Sequence, residues 1–71
     1  MEIRLDQKAD ALYIKFQDGK FAKNKKIDED TIIDLDLKGR ILGIEMLNVS
    51  KKIAAKYLTS ISVNLPMKAS L

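Results

Sequence analysis

The chain has no histidine and no cysteine among its 71 residues, which removes imidazole and thiolate chemistry and most of the metal and nucleophile arrangements built on it. Its three glycines do not form a phosphate-cradling loop. No serine or threonine has a histidine to activate it, and no lysine sits in an identifiably apolar setting that would lower its pKa. No window approaches the roughly 20 apolar residues of a membrane span. The opening Met-Glu-Ile-Arg-Leu-Asp carries charges where a secretory signal needs an apolar run. Without cysteine there is also no disulfide to hold a small fold together, which fits a reducing compartment. These absences predict a cytoplasmic protein that is not an enzyme, has no cofactor and does not associate with membranes.

What is present is 46% apolar and 32% charged residues, enough for one core and one domain. A chain this short buries only about 60% of the surface its unfolded form exposes, so self-association as a homodimer is expected. The domain is assigned to residues 1–66, with 67–71 as a frayed C-terminal tail.

Period-2 alternation, which places successive side chains on opposite faces of a strand, dominates the pattern. Ile3 and Leu5 alternate with Glu2 and Arg4, and after Asp6 to Asp10 the residues Leu12, Ile14 and Phe16 share a face, giving a hairpin. Asp18-Gly19 is a two-residue turn signal leading into Lys20 to Ile27, whose Lys20, Lys23, Lys25 and Lys26 suit an edge strand. After Asp28-Glu29-Asp30, Ile33, Leu35 and Leu37 share one face opposite Asp34 and Asp36. Lys38-Gly39 turns the chain into a fifth strand with Leu42, Ile44 and Met46 inward. Ile14, Leu35 and Ile44 are the expected centre of the core.

Ser50, with Asn48 as its rival, is placed to cap a helix over Lys51 to Leu58, where Ile53, Ala54, Tyr57 and Leu58 form one apolar stripe. Ile61, Val63 and Leu65 then alternate up to Pro66 as a sixth strand, offered either to a free edge of the sheet or to a second subunit. The predicted fold class is α+β: a five- or six-stranded antiparallel meander packed on one short helix.

Three segments carry a resemblance: Asp6-Gln7-Lys8-Ala9-Asp10-Ala11-Leu12-Tyr13-Ile14, then Ile33-Asp34 leading to Gly39-Arg40-Ile41-Leu42-Gly43-Ile44-Glu45, and Leu47-Asn48-Val49-Ser50. The chain resembles the small prokaryotic proteins catalogued as domain of unknown function 2283. The resemblance implies a small α+β domain with no catalytic residues to carry over. It also implies a partner-binding accessory or antitoxin-like role, since some relatives are encoded beside small toxin-like proteins.

Among candidate sites, Asp34 and Asp36 at i and i+2 on one strand face could hold a hard cation, but alternation on a solvent-facing strand is the favoured explanation and no metal site is assigned. Lys23, Lys25 and Lys26 with Lys51 and Lys52 form the alternative nucleic-acid surface. Against that, a net charge of +3 is modest and lysines commonly protect sheet edges. If the second and fifth strands are neighbours, Tyr13 could lie over Gly43, an aromatic covering a strand glycine. The leading expectation is an interaction protein.

Overall fold

In the computed structural model, which describes residues 1–66, five strands form one antiparallel sheet: β1 (Glu2–Asp6), β2 (Ala11–Lys15), β3 (Lys23–Asp28), β4 (Thr31–Leu35) and β5 (Ile41–Leu47). Their order is β1-β2-β5-β4-β3. β1 and β2 make the expected hairpin, and β3, β4 and β5 follow one another as neighbours. Residues 16–22 link the two units, with Phe16 N–H donating to Leu42 O at 2.8 Å and Ala22 N–H to Leu35 O at 2.8 Å.

Asp18-Gly19 lies in this link and does not close a hairpin. Both sides of β2 are occupied, by β1 and by β5. The reason is side-chain character: an interior position needs residues that tolerate burial, which Ile41 to Leu47 supply and the lysine-rich segment does not. β3 is accordingly an exposed edge, as its lysines suggest. β4 ends at Leu35, one turn earlier than alternation implies. Asp36 binds the amides of the following loop, and Leu37 is solvent-exposed. Gly39 closes that loop with a φ of 79°, a conformation that suits glycine.

The register aligns one row of side chains across four strands, Ile3, Ile14, Ile44 and Ile33, ending at Lys25 on β3. The adjacent row on the same face is Leu5, Leu12, Met46 and Thr31. On the opposite face Arg4, Tyr13, Glu45, Ile32 and Lys26 make the corresponding row. One face is therefore aliphatic and the other mixed.

The expected helix over Lys51 to Leu58 is not formed. Two 3₁₀ turns, Val49–Lys51 and Ala55–Tyr57, stand there, and the described residues contain no α-helix. An eight-residue helix pays the full nucleation cost and needs tertiary packing to persist. Its caps are also engaged elsewhere: Ser50 is bound to Asp10, and Asn48 is left-handed and makes no side-chain capping bond. The α+β class is thus corrected to an antiparallel sheet with short turns, and no described helix is long and apolar enough to cross a membrane.

The sixth strand is likewise absent: residues 61–66 join no ladder, and Ile61, Val63 and Leu65 are 66%, 74% and 64% exposed. The tail assigned to 67–71 lies outside the described residues. Neither 3₁₀ turn packs extensively on the sheet, and Ile14, Leu35 and Ile44 are half-buried and not the sealed centre expected of them. Among the described residues the buried apolar side chains are Leu42, on β5 against Gly19 of the link, and Val49, just after the sheet.

Candidate functional site

The residues that most invite a chemical reading lie at the corner where the β1–β2 turn meets the end of β5. Asp6 Oδ1 accepts from Lys8 N–H and Ala9 N–H, both at 3.1 Å, and shapes the turn. Asp10 follows with a φ of 52°. One of its carboxylate oxygens accepts from Ser50 N–H at 3.0 Å, the other from Ser50 Oγ–H at 2.7 Å, and its carbonyl accepts from Val49 N–H at 3.0 Å. Asn48, also left-handed, donates from Nδ2 to Asp30 Oδ1 at 3.0 Å. These bonds hold Val49, which is 0% exposed, as a plug at the sheet corner. An open cleft of about 340 Å³ lies against it, lined by Leu5, Asp10, Val49, Ser50 and Leu58. The carboxylate and hydroxyl that could act there are already joined to each other, so Asn48-Val49-Ser50 is a fastening of the fold.

The acidic residues are similarly committed. Asp36 is 6% exposed and accepts from Lys38 N–H and Arg40 N–H at 2.9 Å each and from Arg40 Nε–H at 2.7 Å. The Arg40 backbone N–H, ahead of the guanidinium, holds this carboxyl below its ordinary range against the opposing effect of desolvation. Asp34, aligned with Gly43 within the ladder, meets Asn24 Nδ2 at 3.5 Å instead. At the neighbouring turn Asp28 Oδ1 accepts from Asp30 N–H at 2.8 Å, the main cause of its lowered pKa. Among the described residues no three acidic side chains come together as a metal site.

Tyr13 does lie over Gly43: a Cβ built at Gly43 would meet the Tyr13 hydroxyl at 2.5 Å and the Ile14 carbonyl at 2.9 Å. Arg4 stacks above the same ring, 5.8 Å from its centre. Nearby, Lys15 Nζ and Asp18 Oδ1 pair at 2.6 Å, and their mutual hydrogen bond raises the lysine pKa and lowers the aspartate's.

The lysines do not gather. By register Lys23 and Lys25 belong to the aliphatic face and Lys26 to the mixed one. Lys52 sits 3.8 Å from both Asp28 and Asp30, while Lys51 is exposed on the first 3₁₀ turn. The aliphatic face is half-buried across β2, β4 and β5, and its Leu5 lines the cleft together with Val49 and Leu58. Sequence reasoning had assigned its residues to a covered core. The signal that it is not sealed was the disproportion between five strands and a single eight-residue apolar stripe to cover them.

Residues 2–50 match the family model described as Protein of unknown function (DUF2283), and the chain belongs to that family. The match ends at Ser50, the residue whose amide and hydroxyl Asp10 holds. No curated protein and no solved structure matches the chain.

Proposed function

We propose that this chain is a cytoplasmic partner-binding protein and not an enzyme, and that the aliphatic face of its sheet is the surface through which it binds another polypeptide. The observation that carries the reading is the row Ile3, Ile14, Ile44 and Ile33, aligned across four strands with no described element layered over it. Contiguous apolar surface of this kind is a marker of interaction sites, since a monomeric protein gains nothing by leaving it wet. An accessory or antitoxin-like role beside a neighbouring gene product is consistent with this surface. The nucleic-acid reading has less support, because alternation divides Lys23 and Lys25 from Lys26, and Lys52 is paired with carboxylates.

The reading is tested with 1-anilinonaphthalene-8-sulfonate at submicromolar protein. Dye fluorescence should be weakened by Ile33→Lys and unaffected by Ile32→Lys, which lies next to it on the opposite face. A polypeptide that occupies the surface, such as the neighbouring gene product, should expel the dye. Absence of dye binding, or equal binding by both variants, would remove the surface from consideration.

A further inference from the structure

We propose that the loop between β4 and β5, with the link beside it, binds a phosphate monoester at a site separate from the aliphatic face. A hollow of about 140 Å³ lies there, lined by Lys20 of the link and by Asp36, Leu37, Lys38 and Arg40 of the loop. Hydrogen bonds close its frame. Gly39 N–H donates to Asp36 O and Asp36 N–H to Arg40 O, both at 3.0 Å, while the Asp36 carboxylate accepts from the amides of Lys38 and Arg40. The link is pinned alongside through Ala22 N–H on Leu35 O at 2.8 Å.

Arg40 gives the hollow its chemistry. Asp36, 6% exposed, accepts from the guanidinium through Nε–H at 2.7 Å, and the arginine side chain is otherwise 62% exposed. That bond orients the guanidinium and leaves its Nη groups without an acceptor among the described residues. A planar fork held in this way matches two oxygens of one anion. Lys20 and Lys38 add two ammonium groups that enter no ion pair among the described residues, whereas Lys15 and Lys52 are each paired with aspartates.

Charge selects the class of anion. Three cations against the single Asp36 carboxylate leave the lining at +2. A phosphate monoester carries about −1.5 to −2 at pH 7 and balances this, while a carboxylate or a phosphodiester brings one negative charge and leaves the lining half neutralised. The hollow is several times the roughly 30 Å³ share of one water, so it admits the phosphate group and leaves the body of the ester outside.

The site is tested by ¹H–¹⁵N spectra of the full chain at constant ionic strength and about pH 7.5, where a monoester is a dianion. Methyl phosphate, inorganic phosphate and dimethyl phosphate are the probes. Methyl phosphate should shift the amides of Lys20, Lys38, Gly39 and Arg40 and saturate with a midpoint on the order of 1 mM. Dimethyl phosphate, a monoanion, should bind about fivefold more weakly, the effect of one unit charge at about 4 Å in water. Lys20→Gln and Lys38→Gln should each raise the methyl phosphate midpoint by a similar factor, and neither removes a side-chain bond that the described fold uses. Arg40→Gln should raise it by about tenfold or more, and Lys23→Gln, on the β3 edge, should leave it unchanged. Shifts that do not saturate, or a midpoint indifferent to Lys20 and Lys38, would overturn the site. Dimethyl phosphate binding as tightly as methyl phosphate would overturn the choice of a dianion, and saturation by inorganic phosphate alone would replace the monoester with the free ion.

Discussion

Residues 2–50 and residues 51–66 carry similar apolar patterns but have different structural outcomes. Ile61-Ser62-Val63-Asn64-Leu65 alternates as cleanly as Thr31-Ile32-Ile33-Asp34-Leu35, yet the second is β4, paired on both sides, and the first joins no ladder. The difference lies in what each segment finds next to it. β4 enters between two strands delivered by short connections, whereas the later segment follows two isolated 3₁₀ turns that pack little against the sheet. Alternation describes a strand's two faces; pairing requires an available edge, and β3 presents lysines at one of the two edges of this sheet.

The sharpest way to break this comparison is to damage the ordered part where it is sealed. Leu42→Ala should lower stability by about 2–5 kcal/mol, through lost burial and a residual cavity, as read by denaturant midpoints. Leu58→Ala, at a half-buried site beyond the sheet, should be far milder. Equal losses would mean that the segment after Ser50 shares the core. Next is the fastening at the boundary. Asp10→Ala removes both acceptors from Ser50 and should cost about 1.5–3 kcal/mol, the range for hydrogen bonds to a charged group. Amide exchange in Val49 to Lys52 should rise with it. Unchanged protection there would show that the corner is held by Val49 packing alone.

Asp36 sharpens the comparison through pH. Its folded pKa lies below the ordinary 3.8, so the unfolded chain takes up its proton first as the solution is acidified. The stabilisation is complete above the ordinary value and disappears as pH falls through the depressed one. Urea midpoints from pH 7 to pH 2.5 should therefore decline less steeply for Asp36→Asn than for wild type, and parallel curves would assign the acid sensitivity elsewhere, with Asp28 the next carboxylate to examine. The smallest effect belongs to the last described segment. A chain ending at Leu58 should keep its sedimentation behaviour and change in stability by no more than about 0.5 kcal/mol, as expected of exposed residues. A truncated chain that becomes monomeric would instead show that Ile61, Val63 and Leu65 are donated as a strand to a second subunit.

Four of the five strands were legible because each carries alternating side chains bounded by turn residues, and β3 because its lysines mark an edge, local codes that need no knowledge of the rest of the chain. Parity put Tyr13 and Gly43 on outward faces, but only the pairing of β2 with β5 sets one over the other. The helix was misread because Ile53, Ala54, Tyr57 and Leu58 have helical spacing without the length to sustain a helix in isolation. The partner of Asp10 was not legible because a sequence lists carboxylates without their partners: Asp10 and Ser50 are 40 positions apart, and nothing local announces that one satisfies the other.

By itself, then, the sequence determined that strands run within residues 2–47, which side chains alternate, and that an edge should be rich in lysine, because these follow from the two-residue period and the cost of burying charge. Only the tertiary structure decided that β5 enters between β2 and β4, that Asp10 and Asp36 are occupied by backbone amides, and that Ile14, Ile33 and Ile44 are half-buried. Those outcomes depend on which segments compete for the same neighbour, and that competition is settled by long-range contacts that no window of sequence contains.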